Sequence, residues 1–119
     1  MEHLTATQVA AVLAEAAADP SRIQPLLLDV REPWEFDTAR IVGATLVPMS
    51  TIGSRLAEVE ALQDSADGAV RPIICVCHHG ARSMQVAAFL EQQGLNNIVN
   101  MTGGIHAWSQ QVDAGVPTY

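Results

Sequence analysis

The chain has no lysine, and its basic side chains are few and scattered. Six basic residues stand against thirteen acidic ones among 119 residues, which gives a formal net charge of −7 at pH 7. All six are arginines: Arg22, Arg31, Arg40, Arg55, Arg71 and Arg82. Because a protein that binds a phosphate backbone needs clustered basic side chains, this distribution argues against nucleic acid as a partner.

Long apolar runs and a plausible disulfide are also missing. No apolar stretch approaches the roughly 18 residues of a membrane span, and the residues after Met1 lack the basic and apolar segments of a secretory signal. The two cysteines, Cys75 and Cys77, are two residues apart. In an extended strand that spacing holds them too far apart for a relaxed disulfide. We therefore expect no membrane contact and a reducing compartment, the cytoplasm.

Short apolar segments alternate with segments of helical periodicity along the chain. With 49% hydrophobic and 16% charged residues, the composition is that of one globular domain. Strands are predicted over 25–30, 44–47, 73–76 and 97–100, and helices over 5–18, 50–62, 83–93 and from 103, with one helical turn near 32–36. This alternation predicts an α/β fold with a mostly parallel sheet.

The segment 73–83 carries the strongest functional signal. An apolar strand is followed by Cys77, a short turn and a helix predicted to begin at Ser83 as its N-cap. A cysteine that ends a strand is by itself most often a small core residue. Here Gly80 gives the turn conformational freedom and Arg82 adds a permanent cation. A thiol at a strand's carboxyl end and a helix N-terminus is favoured as the nucleophilic thiolate.

Four motifs in order resemble the single-domain rhodanese sulfurtransferases over nearly the whole chain. They are LLDVREPWEF at 27–36, IVGA at 41–44, CHHGARS at 77–83 and GGIHAW at 103–108. The resemblance implies a rhodanese-like α/β fold, with a central, mostly parallel five-stranded sheet and helices on both faces.

The same resemblance assigns roles to residues. It implies that Cys77 accepts a sulfane sulfur from an anionic donor such as thiosulfate and passes it to cyanide or a thiol, possibly a protein thiol. No metal or organic cofactor is required. The substrate-binding loop would consist of His78, His79, Gly80, Ala81, Arg82 and Ser83. Asp29, Arg31 and Glu35 would support that loop.

Three other functions compete with this interpretation. Phosphatases and arsenate reductases of related fold also use a cysteine and an arginine, but four residues separate Cys77 from Arg82 here, one fewer than in those phosphatases. A rhodanese-like binding module would have lost the cysteine. A metal site made of Cys75, Cys77, His78 and His79 would crowd its ligands on one strand and turn, and no second ligand pair with metal spacing follows.

The sequence also predicts how several side chains are placed. Neighbouring residues on a tight loop generally diverge, so we expect at most one of His78 and His79 to face the substrate. Cys75, within the buried strand, is predicted to be structural, with a role as a resolving cysteine as the less favoured alternative.

Ion pairing and aromatic packing give two further expectations. Arg31 and Glu35, four residues apart, are expected to form a structural ion pair. Trp34 and Trp108 could line the rim of the pocket, but large aromatics in a small domain usually belong to the core, and we predict that position for both.

Overall fold

A five-stranded sheet forms the centre of the protein in a computed structural model that describes residues 1–64 and 68–119. The strands are β1 (Glu2–Thr5), β2 (Leu26–Asp29), β3 (Thr45–Leu46), β4 (Ile73–Val76) and β5 (Ile98–Thr102). All pairings are parallel, in the order β1-β5-β4-β2-β3. The predicted five-stranded α/β fold is confirmed.

Within the described residues, four helices connect the strands and a fifth follows β5. They are α1 (Ala6–Ala18), α2 (Pro33–Thr38), α3 (Leu56–Gln63), α4 (Ala81–Gln92) and α5 (Gly104–Gln111). The predicted helix from residue 50 is wrong at its start, because a 3₁₀ turn (Met49–Thr51) follows Pro48 and Gly53 is a poor helix former. No helix in the described segments combines the length and the apolar character that a membrane crossing requires.

Strand β1 is absent from the sequence prediction. Its residues are mostly exposed, and it pairs with β5 alone at the edge of the sheet. An edge strand needs no continuous apolar run, so hydrophobic pattern did not reveal it. Thr5 ends this strand and caps α1, accepting a hydrogen bond from the backbone N–H of Gln8 at 3.3 Å.

Successive side chains of the inner strands enter two cores on opposite faces of the sheet. The core beneath α3 and α4 includes Leu26, Leu28, Ile73 and Cys75. The core beneath α1 and α5 includes Leu27, Ile74, Val76, Val99 and Met101. Helices therefore cover both faces, and β2 and β4 are buried on both sides, which explains their continuous apolar sequences.

The chain segments that follow the adjacent strands β2 and β4 pack on opposite faces of the sheet. After β2 the chain contributes Ala39 and Ile41 to one core. After β4, helix α4 contributes Val86 and Leu90 to the other. Where neighbouring connections diverge in this way, a parallel sheet has a crevice at its carboxyl edge, the usual place for a ligand.

Candidate active site

Cys77 lies directly after β4, at the carboxyl edge of the sheet, with only 1% of its surface exposed. Its Sγ accepts a hydrogen bond from the backbone N–H of Gly80 at 3.0 Å. Gly80 has φ +108° and is the N-cap of α4, which begins at Ala81. Few other residues adopt this left-handed conformation, so the expected role of Gly80 in the turn is confirmed.

Ser83 is not the helix N-cap that the sequence predicted. It lies in the first turn of α4 and is fully buried, because the left-handed Gly80 lets the helix begin at Ala81. The Ser83 hydroxyl accepts a hydrogen bond from the Cys77 thiol at 3.3 Å and donates to Asn100 Oδ1 at 2.6 Å. The hydroxyl therefore links the thiol to strand β5.

Asn100 is a site residue that the sequence analysis missed. It lies on β5 opposite Cys75 and is 2% exposed. A buried amide usually requires hydrogen-bond partners, so an asparagine in an otherwise apolar strand was the available signal. With Asn100 as acceptor, the Ser83 hydroxyl keeps a lone pair directed at Cys77.

Arg82 fastens the thiol loop, residues 77–83, to helix α2. Its Nη1 and Nη2 donate to the two carboxylate oxygens of Glu35, at 2.6 and 2.8 Å. The Glu35 side chain is 4% exposed and that of Arg82 is 33% exposed. The Arg82 guanidinium, helped by a hydrogen bond from Tyr119, lowers the pKa of Glu35 to about 2 despite its burial.

The expected ion pair between Arg31 and Glu35 does not form. Arg31 is fully buried and pairs instead with Asp29, with Nη2 2.7 Å from Oδ2 and Nε 2.9 Å from Oδ1. Asp29 ends β2 beside the guanidinium, whereas the carboxylate of Glu35 is occupied by Arg82. Arg31 contacts only the backbone carbonyl of Glu35, at 3.3 Å.

Tyr119 joins these two ion pairs and was also missed. Its hydroxyl accepts from Arg31 Nη1 at 2.8 Å and donates to Glu35 Oε2 at 2.7 Å. Burial raises its pKa to about 12, with the neighbouring Glu35 carboxylate acting in the same direction. Because Tyr119 lies 84 positions beyond Glu35 in the chain, local sequence could not reveal the contact.

The two tryptophans differ in their surroundings. Trp108 is 8% exposed and belongs to the core, as predicted. Trp34 is 63% exposed, so the core prediction is wrong for it. Its ring meets the edge of Tyr119 at 5.8 Å between centroids, because α2 turns it toward the rim of the site instead of the sheet.

His78 and His79 do not diverge as expected. Their rings stack, with centroids 4.0 Å apart and an interplanar angle of 29°. His78 also stacks on Tyr119 at 4.0 Å and 8°, which holds its ring at the rim. Burial, followed by the charge of His79, lowers the pKa of His78.

The loop is docked on the start of α5. The backbone N–H groups of Ile105 and His106 donate to the carbonyls of Cys77 and His78, at 2.8 and 3.1 Å. Gly104 has φ +61°, and a Cβ there would overlap both carbonyls. Only glycine permits this close approach, which accounts for one glycine of the 103–108 motif.

Three histidines near the loop could hold a metal ion. Within residues 1–64 and 68–119, one group of potential ligands has donor atoms within 4.8 Å of one another: His78, His79 and His106. Neither cysteine belongs to it. Cys75 lies in the core, and burial raises its pKa to about 12.

Comparison with known proteins agrees with this architecture. The family model of the rhodanese-like domain matches residues 9–111. A sulfurtransferase of Allochromatium vinosum is 35% identical over 98 residues, covering 82% of each chain. A chloroplastic rhodanese-like/PpiC domain-containing protein of Arabidopsis thaliana is 39% identical over 94 residues, which cover 78% of this chain and 30% of the relative.

A solved structure extends the similarity to the whole fold. The rhodanese-like domain protein from Staphylococcus aureus superimposes with a TM-score of 0.73 at 28% sequence identity, covering 100% of this chain and 99% of that one. Sequence and fold agree over most of the chain, which belongs to the rhodanese-like domain family.

Proposed function

We propose that the protein is a sulfurtransferase that carries a sulfane sulfur on Cys77, from an anionic donor such as thiosulfate to cyanide or a thiol. The observation that carries the proposal is the position of Cys77 Sγ, at the carboxyl end of β4 and 3.0 Å from the N–H of Gly80, the N-cap of α4. A backbone donor at a helix N-terminus stabilises negative sulfur. The similar Allochromatium protein is named a sulfurtransferase.

The proposed reaction proceeds in two displacements. The Cys77 thiolate attacks the outer sulfur of thiosulfate, the sulfur–sulfur bond of the donor breaks, and sulfite leaves with the bonding electrons. Cyanide or a thiolate then attacks the outer sulfur of the persulfide. This step forms thiocyanate or a new persulfide and returns the electron pair to Cys77 as thiolate.

The charges around the loop suggest how its residues share this work. The molecule carries a formal net charge of −7, so attraction of an anionic donor has to be local. We assign that role to the amide of Gly80 and the neighbouring loop from His78 to Ser83. Because Arg82 is paired with Glu35, we propose that it mainly holds the loop in shape. The ion pair of Asp29 with Arg31, at the carboxyl end of β2, would support this arrangement.

We propose that the partners are a small anionic sulfur donor and a cyanide or thiol acceptor, and that a protein thiol can serve as this acceptor. Both cysteines are free and buried, an arrangement that suits a reducing compartment such as the cytoplasm.

Intact-mass spectrometry after incubation with thiosulfate tests the function. We expect wild type to gain one sulfur atom and to lose it when cyanide is added. Cys77→Ser should gain none. Cys75→Ser is the matched control, because Cys75 lies buried two residues away on the same chain segment, and it should gain sulfur normally.

Two results would contradict the proposal. One is a folded wild-type chain that takes up no sulfur from thiosulfate or from another sulfane donor such as a polysulfide. The other is sulfur that attaches equally well to Cys77→Ser. Hydrolysis of a phosphate ester in place of sulfur uptake would instead favour the phosphatase alternative, and neither activity would favour the binding module.

A further inference from the structure

We propose that His78, His79 and His106 form a binding site for a divalent transition metal ion that prefers imidazole ligands, with Zn(II) as the representative ion. Their donor atoms all lie within 4.8 Å of one another. The sequence did not suggest this site, because the third ligand is on α5, 27 residues beyond His79. It contains neither cysteine of the mixed site considered from the sequence.

The backbone that carries the three imidazoles is already fixed. The N–H of His106 donates to the carbonyl of His78 at 3.1 Å, and that of Ile105 donates to Cys77 at 2.8 Å. Gly104 permits this close contact. Two loop histidines and one helix histidine are thus held together whether or not an ion is bound, which reduces the ordering that metal binding would require.

Two ring nitrogens of the cluster lack protein partners. His78 Nε2 and His106 Nδ1 are enclosed, and within the described residues neither forms a hydrogen bond. Buried polar atoms are nearly always bonded, so such a pair calls for an explanation. A ligand that accepts electron pairs, such as a metal ion, would satisfy nitrogens of this kind.

The distances require only side-chain movement. Zinc binds histidine nitrogen at about 2.0–2.1 Å, and tetrahedral geometry then places the nitrogens about 3.4 Å apart. Donor atoms at the 4.8 Å limit would therefore have to approach one another by about 1.4 Å. His79 is exposed, so its ring can leave the stack on His78 and rotate until its nitrogen points toward the other two. The nearby cation, Arg82, is paired with Glu35, which reduces its repulsion of a divalent ion.

Three neutral imidazoles select the class of ion. This ligand type suits zinc, copper and nickel, whereas magnesium and calcium prefer oxygen. Three protein ligands also leave a fourth position open for water or an exogenous ligand, as in zinc sites that exchange ligands. Binding at this site does not depend on the proposed sulfur transfer, so the two proposals can fail separately.

Titration with Co(II), a coloured substitute for Zn(II), tests the proposal without an activity assay. We expect one Co(II) per chain with the visible bands of a nitrogen-rich site, and Zn(II) should displace it. Zn(II) affinity is then measured by competition with a chromogenic chelator. His106→Ala and His79→Ala should each weaken binding by more than tenfold, since loss of an outer-shell partner alone costs about 10–100-fold.

His3→Ala is the matched control, because His3 is an exposed histidine on β1 outside the cluster. Its affinity for Zn(II) should equal that of wild type. The His106→Ala variant keeps the backbone N–H that docks the loop, so circular dichroism should report a native fold.

Three results would overturn the site. Wild type could fail to bind Co(II), or the His79 and His106 variants could bind as tightly as His3→Ala. Alternatively, binding could produce a thiolate-to-cobalt charge-transfer band and disappear in Cys77→Ser, which would assign the ion to the sulfur instead of the three imidazoles.

Discussion

At the scale of single residues, the Ser83 hydroxyl lies next to the Cys77 sulfur. It stands between Cys77 Sγ and Asn100 Oδ1, and all three residues are buried. The hydroxyl carries one proton. While that proton is donated to Asn100, the oxygen can only accept from the thiol. An ionised Cys77 would retain the N–H of Gly80 as donor and would gain the hydroxyl if its proton turned toward the sulfur.

Replacing Ser83 with alanine tests this arrangement. We expect Ser83→Ala to lower the free energy of unfolding by about 1–3 kcal/mol, because Asn100 Oδ1 loses its donor in a buried place. We also expect slower sulfite release from thiosulfate, since the thiol loses a polar neighbour. Urea unfolding and a sulfite assay measure the two effects.

Ser109→Ala is the matched control for Ser83→Ala. Ser109 is also a buried serine, but its hydroxyl has no hydrogen-bond partner in the described chain. Its replacement should therefore leave stability unchanged or slightly raised, with normal sulfite release. Equal losses in the two variants would show that the hydrogen bond to Asn100 contributes nothing specific.

At the scale of elements, the site is a contact between the thiol loop, α2 and the start of α5. Arg82 fastens the loop to Glu35 of α2, and two backbone hydrogen bonds fasten it to α5. The second contact has no room for a side chain at Gly104, whose Cβ would overlap the carbonyls of Cys77 and His78.

Gly104→Ala should therefore disturb the loop more than a simple glycine substitution does. A non-glycine residue in the left-handed region costs about 1–3 kcal/mol by itself, and here the loop must also move away from α5. We expect a larger loss of unfolding free energy and strongly reduced sulfur uptake by Cys77, measured by urea unfolding and intact mass.

Gly94→Ala separates the cost of a non-glycine residue in the left-handed conformation from the cost of steric overlap with the loop. Gly94 has φ +91° at the end of α4, but nothing lies within 4 Å of its added Cβ. This variant should show only the conformational cost and should accept sulfur normally. A Gly104→Ala protein that matched it in stability and sulfur uptake would contradict the role of close packing between loop and helix.

At the scale of the whole molecule, Tyr119 and the two ion pairs tie distant parts of the chain together. Tyr119 contacts Arg31 and Glu35, which follow β2, while Glu35 holds Arg82, which follows β4. Stability should therefore depend on the charge of Glu35, whose pKa is lowered from 4.5 to about 2 chiefly by Arg82.

The direction of this pH dependence follows from that lowered pKa. The carboxylate's contribution is fully present above the unfolded-state value of 4.5 and is lost as pH falls from 4.5 toward 2. The loss should be on the order of 3 kcal/mol. Glu35→Gln should lack the stabilisation that the ionised carboxylate provides. The difference in unfolding free energy between wild type and Glu35→Gln should therefore shrink as the solution becomes acidic.

Urea unfolding at a series of pH values measures the dependence. Glu15→Gln is the control, because Glu15 forms an exposed pair with Arg22 at 3.6 Å, a type of pair that contributes little. That variant should follow wild type throughout. A constant difference between wild type and Glu35→Gln across the acidic range would contradict the lowered pKa.

Local sequence predicted much of the fold because its signals act over short distances. The apolar run at 73–76 and the turn at Gly80 predicted a strand, a loop and a helix, and all three are present. The error at Ser83 has a local cause as well, since a left-handed glycine can replace a polar N-cap. Strand β1 was not predicted because this exposed edge strand has no hydrophobic pattern.

The sequence by itself determined most of the elements, the position of Cys77 after a buried strand and the likeness to a known family. It could not determine which side chains meet, because those contacts join residues far apart in the chain. Only the tertiary structure paired Arg82 with Glu35 and Arg31 with Asp29, placed Asn100 behind Ser83, and brought His106 beside the loop histidines. The physical reason is that a parallel sheet gathers the carboxyl ends of its strands at one edge.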